Sequence, residues 1–200
     1  MIPLNEIGAM PLEDLSSFVK TYRMTSSLLE YARSLFSDSY RTWDKHYYIR
    51  SGREGTSEIE SNYDVEPLIS NCWGEYPELL TFIFDCLSSY YSIFPSSYTP
   101  TVSAVRLNRY EKGQLMKPHV DHITSLFDGN AKGVPVLSIV GLVNKAEEGG
   151  EFFMNFKESN EQFLTDEGEL LIFPSSFLYK HEVKPVKKGT RDSFVSWTYF

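Results

Sequence analysis

The second half of the chain is cut into short apolar runs by glycine-containing turns, and no other feature of the sequence constrains the fold as strongly. Turn sequences lie at 127–130, 149–150, 167–168 and 188–189. Between them, alternating or continuous apolar residues predict strands over 102–110, 116–120, 135–143, 151–156, 169–173, 179–186 and 193–200. Seven or eight short strands within about 100 residues are typical of a sandwich or a barrel, so we expect a mainly β fold.

The first hundred residues carry helical spacing instead. Apolar residues recur three and four positions apart in 12–19, 27–36 and 77–91, which predicts three helices. No obvious linker separates this half from the strands. We therefore expect a single α+β domain over residues 1–200, in which 1–100 form a helical support and 101–200 form the β core.

A polar stretch, SGREGTSEIES, interrupts the helical half at Ser51–Ser61, just after the aromatic residues Trp43, Tyr47 and Tyr48. Its glycine, serine and charged residues predict a flexible loop. Two interpretations of this loop stay open. One is a surface hairpin, and the other is a lid over a binding site, since long loops in compact domains are often functional.

Composition restricts the partners and the compartment. The chain has 19 basic and 27 acidic residues, a net charge of −8, and the first hundred residues hold most of that excess. An acidic surface of this kind binds nucleic-acid phosphates poorly. No apolar run is long enough to span a membrane, and the N-terminus lacks the features of a signal peptide. With only Cys72 and Cys86, the second expected in the core, we predict a cytoplasmic protein without disulfides.

Two histidines and one aspartate have the spacing of a metal site. His119 and Asp121 are two residues apart, so on an extended chain their side chains point to one face. His181 lies 60 residues after Asp121. A jelly-roll topology could bring its strand back beside the strand that carries His119 and Asp121. Two histidines and one carboxylate on one face form the ligand set of non-haem Fe(II) oxygenases. The alternative is a capped turn, or a core histidine hydrogen-bonded to a nearby carboxylate.

Arg191 follows His181 by ten residues and lies beyond the Lys188-Gly189 turn, on what the pattern predicts as the next antiparallel strand. A hairpin of that length brings its guanidinium near the same pocket, where its partner would be a carboxylate or a phosphate. Taken alone, Arg191 would be interpreted as a surface arginine. Its position after the candidate ligands favours an anion-binding role.

These residues resemble a known family, the Fe(II)/2-oxoglutarate-dependent dioxygenases, over residues 102–200, about half of the chain. The resemblance is carried by His119-x-Asp121, His181, Arg191, Tyr110, Gly149-Gly150, LSIVGLVN, EEGGEFFMNF, GELLIFP and the closing R-x-S-x-x-x-W of Arg191, Ser193 and Trp197. The family fold is a double-stranded β-helix, or jelly roll, which agrees with the predicted strands.

The resemblance implies a role for each of these residues. His119, Asp121 and His181 would hold Fe(II), and 2-oxoglutarate would chelate that metal through its 2-oxo acid end. Its distal carboxylate would meet Arg191, together with the hydroxyl of Tyr110. The three ligands and Arg191 are therefore the predicted catalytic residues.

Three further residues are expected to line the co-substrate site: Ser193, Trp197 and Val183, the last because it shares the face of His181 two positions away. The family reaction consumes O₂ and 2-oxoglutarate, releases succinate and CO₂, and hydroxylates an unactivated C–H bond. Ascorbate is expected as the reductant.

Two branches of the family compete. The pattern N-x-Y-x-x-G before His119 is also similar to the AlkB type of nucleic-acid demethylase, but that branch closes with two arginines six positions apart. Here the residue six positions after Arg191 is Trp197, and the short gap from His181 to Arg191 resembles prolyl 4-hydroxylases. A prolyl residue in a peptide or protein is the expected substrate, with a small molecule as an alternative. A non-catalytic cupin-like metal-binding domain and a zinc hydrolase are the other classes left open.

The two remaining histidines are assigned outside the metal site. His122 directly follows Asp121, so on a strand its side chain points away from the metal, either in a structural role or in a hydrogen bond to that carboxylate. His46 lies among aromatic residues in the acidic half. It is expected to be a packed surface residue, or a substrate contact if the Ser51–Ser61 loop is a lid.

Overall fold

A computed structural model describes residues 15–46, 48–51, 57–60, 67–70, 76–95, 101–121, 135–156 and 159–199. The helices in this part of the chain are a 3₁₀ turn (Leu15–Phe18), α1 (Ser26–Phe36) and α2 (Pro77–Ile93). The strands are β1 (Lys20–Arg23), β2 (Trp43–Lys45), β3 (Tyr48–Ser51), β4 (Ser57–Glu60), β5 (Leu68–Ser70), β6 (Thr101–Val102), β7 (Arg106–Tyr110), β8 (Met116–His119), β9 (Pro135–Asn144), β10 (Glu148–Gly149), β11 (Phe152–Asn155), β12 (Asn160–Phe163), β13 (Glu169–Pro174), β14 (Lys180–Val183), β15 (Val186–Lys188) and β16 (Arg191–Tyr199).

Two antiparallel sheets form the body of the molecule. The larger runs in the order β1-β13-β9-β16-β7-β5-β2, with β6 paired to β16, and the smaller runs β12-β11-β14-β8. Buried apolar side chains from both sheets form one cluster, in which Val140, Phe173 and Val195 of the larger sheet meet Phe152 and Met154 of the smaller. Two sheets that pack face to face in this way form the jelly roll that the resemblance implied.

The other face of the large sheet carries the helices. Ile139 and Phe194 point to this side, where they join a second buried cluster with Ala32 and Phe36 of α1 and Ile83 of α2. Because successive residues of a strand point to opposite faces, β9 and β16 each supply both clusters. This explains why Pro135–Asn144 is almost continuously apolar: the strand is covered on both sides.

Local sequence sets where the two helices begin. The hydroxyl of Thr25 accepts a hydrogen bond from the backbone N–H of Leu28 at 3.2 Å, which caps the first turn of α1. Pro77 occupies the first position of α2, where its missing N–H costs nothing. Cys86 is buried on α2, as expected. Among the described residues, neither helix combines the length and the apolar character needed to cross a membrane.

Within the described residues, the first of the three predicted helices is a single 3₁₀ turn. Only Leu15–Phe18 forms a helical turn, and the chain then enters β1, which pairs with β13 along its whole length. The sequence KTYR alternates in exposure on this edge strand, so its conformation is stabilised by pairing with a distant partner rather than by local propensity. β2 and β5, which also belong to the large sheet, were not predicted either.

The predicted loop Ser51–Ser61 begins and ends in strands. β3 and β4 pair in register from Tyr48↔Glu60 to Ser51↔Ser57, which confirms the hairpin interpretation for that part. Residues 52–56 and 61 lie outside the described residues, and the lid role stays a prediction. Two long predicted strands are also divided: 102–110 into β6 and β7, and 179–186 into β14 and the start of β15.

Candidate metal centre and anion pocket

The two candidate histidine ligands are cross-strand neighbours. β8 and β14 are antiparallel and place His119 directly opposite His181, with 4.3 Å between the ring centroids. Asp121 lies just beyond the end of β8, and its Oδ1 is 3.4 Å from Nε2 of His119 and 3.7 Å from Nε2 of His181. One ligand atom from each residue lies within 4.8 Å of the others. The three side chains that the sequence singled out therefore converge on one point.

The backbone orients both imidazole rings. Nδ1 of His119 is 2.8 Å from the carbonyl oxygen of Lys117, and Nδ1 of His181 is 3.0 Å from that of Tyr179. Because a carbonyl oxygen only accepts, each Nδ1 carries a hydrogen, and each Nε2 is turned towards Asp121. This is the arrangement that fixes the tautomer of metal-binding histidines.

Burial and the neighbouring groups shift the pKa values of the three triad residues in different directions. Burial lowers the pKa of His181 to about 4, so this ring is neutral at pH 7. For His119, burial favours the neutral form, but the contacts with Asp121 outweigh it and raise the pKa. Burial also opposes ionisation of Asp121, yet the adjacent His181 and His119 hold the pKa of its carboxyl well below the usual range. A carboxylate and a neutral imidazole are the forms that bind metals.

Two hydrogen-bond donors turn Asp121 towards the histidines. Trp197 donates from Nε1 to Oδ2 at 2.9 Å, and Ser138 donates from its hydroxyl to the same oxygen at 2.6 Å. Ser138 is held in turn by the buried hydroxyl of Ser175, 2.8 Å away. With Oδ2 occupied in this way, Oδ1 faces the two Nε2 atoms. Three ligand atoms on one side of an ion are the donor set of a facial triad, so these residues fit a divalent iron.

Arg191 is buried in the same pocket, with 2% of its surface exposed. Its Nη1 donates to the hydroxyl of Ser193 at 2.8 Å, and its Cζ lies 5.2 Å from the ring centroid of Tyr110. Its Nη2 is buried without a hydrogen-bond partner among the described residues. Burial lowers the pKa of this guanidinium, which shows that its charge is not well solvated. A buried donor left in this state favours the binding of an anion.

Gly150 makes room for the arginine. Its φ of +72° is a conformation that glycine adopts readily, and a Cβ built there would lie 3.2 Å from Cδ of Arg191 and 3.1 Å from Val186. The glycine pair predicted only as a turn therefore also shapes the wall behind the guanidinium.

The triad and Arg191 line one pocket that is partly open to solvent. Its lining includes every predicted site residue, namely His119, Asp121, His181, Arg191, Tyr110, Ser193, Trp197 and Val183. Arg191, Ser193, Val195 and Trp197 reach it from alternate positions of β16, whereas Asp192 and Phe194 face the helices.

Three polar residues of the site were not among the predicted site residues. Arg106 and Asn108 line the pocket beside Tyr110, and Ser138 binds the candidate ligand Asp121. The first two could have been found, because Arg106, Asn108 and Tyr110 occupy alternate positions of one strand and share a face. Ser138 gave no such signal, since it is a single hydroxyl inside an apolar run.

Of the other two histidines, His46 is not among the described residues that line the pocket. His122 lies outside the described residues. The backbone N–H of His46 donates to the carbonyl oxygen of Pro67 at 3.0 Å, and burial, followed by the charge of Arg106, lowers the pKa of its ring to about 3. His119 and Asp121 also influence that pKa, so His46 lies near the pocket.

A jelly roll that brings two histidines, one aspartate and a buried arginine into a single pocket has the architecture of the non-haem iron oxygenases. Residues 105–199 match the model of the 2OG-Fe(II) oxygenase superfamily. Over this segment, just under half of the chain, the protein is similar to that superfamily, in agreement with the resemblance seen in the sequence.

Curated relatives carry the name PKHD-type hydroxylase. One from Idiomarina loihiensis is 31% identical over 97 residues, which are 48% of this chain and 42% of the relative. One from Delftia acidovorans is 30% identical over 112 residues, 54% of this chain and 49% of the relative. The chain thus spans less than half the length of these relatives.

Solved structures show the same fold over most of the chain. A Pseudomonas putida prolyl-4-hydroxylase superimposes with a TM-score of 0.63 at 14% identity, covering 91% of this chain and 92% of that one. A prolyl hydroxylase from Trichoplax adhaerens, in complex with a hypoxia inducible factor peptide, gives a TM-score of 0.61 at 16% identity, covering 90% and 83%. At these identities the likeness establishes the fold.

Proposed function

We propose that this protein is an Fe(II)- and 2-oxoglutarate-dependent dioxygenase that hydroxylates an unactivated C–H bond and releases succinate and CO₂. One observation carries the proposal. Two imidazole Nε2 atoms face a single carboxylate oxygen in the same pocket as a buried guanidinium whose Nη2 has no partner among the described residues. A metal site alone would need no such arginine, and the 2-oxoglutarate dianion matches both features.

His119, Asp121 and His181 would hold the iron, and iron with 2-oxoglutarate supplies the oxidising chemistry when both are bound. Arg191 would bind the distal carboxylate of the co-substrate through Nη2, while Ser193 holds Nη1 at 2.8 Å and fixes the plane of the fork. The Tyr110 ring supports the guanidinium from one side, and its hydroxyl is proposed to share the same carboxylate.

Apolar side chains keep the rest of the pocket dry. The ring of Phe152 stacks on His181 with 5.4 Å between centroids, and Phe173 meets the same imidazole edge-on at 5.0 Å. Val140 and Val195 line the wall from the large sheet. Exclusion of water strengthens the ion pair at Arg191 and protects reactive species from side reactions.

We infer that the primary substrate is a prolyl residue in a peptide or protein, and that ascorbate serves as reductant. The PKHD-type names of the relatives and the prolyl hydroxylase folds support this choice. We also infer that residues 1–200 form one domain. β1, β2 and β5 come from the first hundred residues yet are strands of the large sheet, so the two halves share a hydrogen-bonded unit.

The test is an anaerobic titration of the purified protein with Fe(II) and 2-oxoglutarate. We expect the weak visible charge-transfer band of a metal-chelated 2-oxo acid, and succinate after O₂ is admitted. Asp121→Ala removes a ligand and should abolish both signals. Asp166→Ala is the matched control, because that carboxylate is exposed and forms only a surface ion pair with Arg23. Folded, iron-loaded protein that gives neither band nor succinate would refute the function.

A further inference from the structure

A second arginine lies in the pocket, at the end opposite Arg191. Arg106 is four residues before Tyr110 on β7, and the two pair with Val195 and Arg191 of β16. Four residues of a strand place the two arginine positions about 13 Å apart along the sheet. Arg191 therefore marks one end of the pocket and Arg106 the other.

The end that holds Arg106 is the metal end. Its Cζ lies 5.1 Å from the ring centroid of Trp197, and Trp197 donates to the candidate ligand Asp121. Its Nε donates to the side-chain oxygen of Asn108 at 3.1 Å. The indole and the amide thus fix the guanidinium as part of the pocket wall next to the triad. Arg106 is half-buried and lines the pocket, and burial lowers the pKa of its guanidinium.

A co-substrate does not require this second cation. 2-Oxoglutarate carries two carboxylates, and in the proposed function one chelates the metal while the other meets Arg191. The co-substrate then occupies the space between Arg191 and the triad. Arg106 lies beside the triad and four strand positions away from Arg191, so its guanidinium is placed to meet the molecule that is hydroxylated.

We propose that Arg106 binds a carboxylate of the primary substrate close to the C–H bond that is hydroxylated. This inference rests on the proposed function and narrows its substrate to molecules with an anionic group near the reacting carbon. A guanidinium held against an indole presents a fixed planar fork, which suits a carboxylate better than a neutral carbonyl.

Two sources of that carboxylate are consistent with the geometry, and two pairs of probes separate them. L-Proline against L-prolinamide tests an α-carboxylate. A blocked peptide with glutamate after an internal proline, against the same peptide with glutamine, tests an acidic side chain. Binding is measured by calorimetry under nitrogen on protein loaded with Fe(II) and 2-oxoglutarate, so that no turnover occurs.

We expect wild-type protein to bind the charged member of one pair about 10- to 100-fold more tightly than its neutral partner. Arg106→Met keeps the length and much of the stacking but removes the charge, and should abolish that preference. Arg106→Lys keeps the positive charge but lacks the planar pair of donors, and should retain part of the preference for the charged probe. Arg23→Met is the matched control, since Arg23 is an exposed arginine on β1 outside the pocket and its loss should change nothing.

Other results overturn the inference. Equal binding within each pair, no binding of any probe, or a preference that survives Arg106→Met would each exclude a carboxylate partner for Arg106. If Arg106→Met weakens 2-oxoglutarate binding as much as probe binding, Arg106 belongs to the co-substrate site instead. The charge-transfer band of the wild type is recorded first. Its absence would refute the proposed function itself, whereas a normal band with no carboxylate preference would refute only the role of Arg106.

Discussion

Arg191→Met tests the anion pocket most directly, because the structure predicts opposite effects on binding and on stability. In the free protein, Arg191 is a buried cation with one hydrogen bond to Ser193 and an unpartnered Nη2. Replacing a buried ion pair with apolar residues of similar volume is often neutral, or stabilising by about 1–4 kcal/mol, and Arg191 forms no ion pair among the described residues that its replacement would break. The melting temperature of the metal-free variant should therefore stay unchanged or rise, by about 2–4 °C per kcal/mol.

The affinity for 2-oxoglutarate, in contrast, should fall in Arg191→Met. The distal carboxylate of 2-oxoglutarate would enter a buried site without its cation, and breaking a buried pair in this way costs about 3–5 kcal/mol. At about 1.4 kcal/mol for each factor of ten, the Kd for 2-oxoglutarate should rise about 10²- to 10³-fold or slightly more. Chelation by the metal remains, so the charge-transfer band should still form at high concentrations of 2-oxoglutarate.

The assay is an anaerobic titration of that band with Fe(II)-loaded protein, together with thermal melts with and without 2-oxoglutarate. Arg109→Met is the matched control, because Arg109 is on β7 but faces the helices, where it pairs with Asp192 at 2.7 and 2.9 Å. Its loss leaves Asp192 buried without its cation, held by the side-chain amide of Asn144 alone, so stability should fall by about 3 kcal/mol. The Kd for 2-oxoglutarate should stay at the wild-type value.

The two variants thus have opposite expected signatures, which a general loss of folding cannot imitate. A Kd that rises less than about fivefold in Arg191→Met corresponds to under about 1 kcal/mol, and would show that the distal carboxylate binds elsewhere. A strong fall in the melting temperature of that variant would contradict the argument that Arg191 is an uncompensated charge in the free protein.

The remaining predictions concern the hydroxyl beside Asp121, the contact at Gly141 and the segment Ser51–Ser61. Ser138→Ala removes one of the two donors that orient Asp121 and should raise the Kd for Fe(II) about 10-fold or more, measured by competition with a chelator. An unchanged Kd would mean that the hydrogen bond from Trp197 is enough to orient Asp121. Gly141→Ala places a methyl group 2.2 Å from the ring of Phe194 and should lower the free energy of unfolding, measured in urea, by at least about 1–3 kcal/mol. If the variant is as stable as the wild type, the ring can move aside. Replacing Ser51–Ser61 with a short glycine-serine linker should slow turnover of a peptide substrate more than the uncoupled decay of 2-oxoglutarate, with succinate measured in both assays. Equal losses of the two activities would argue against a lid.

The parts of the site that depend on short-range geometry could be predicted from the sequence. His119 and Asp121 share a face because they are two residues apart, and the same alternation places Arg191, Ser193 and Trp197 along one side of β16. Each of these placements needs only the knowledge that the segment is extended, and the alternating or apolar runs supplied that knowledge.

The pairing of distant segments could not be derived in this way. The register that sets His181 opposite His119 depends on where β14 lies relative to β8, and only the family resemblance suggested it. β1 and β2 were not predicted, for a related reason. KTYR and WDK are short and polar, and they become strands because β13 and β5 offer hydrogen bonds to their backbones. Local preference is too weak at such edges to outweigh a helical pattern in neighbouring residues.

The packing of β16 connects the fold to the proposed chemistry. Phe194 faces the helices and lies against Gly141 of β9, where a side chain of any size would collide with its ring. Asp192, on the same face, is held by Arg109 and by the side-chain amide of Asn144 at 2.8 Å. Since side chains alternate along a strand, these contacts force Arg191 to the opposite face, into the pocket. A slip of one residue would exchange the cation for the anion Asp192, bury a carboxylate where the distal carboxylate of the co-substrate is proposed to bind, and leave Phe194 in the co-substrate site. The apolar register of the large sheet therefore determines the sign of the charge that the pocket presents, and the helices of the first hundred residues contribute to the site by securing that register from behind.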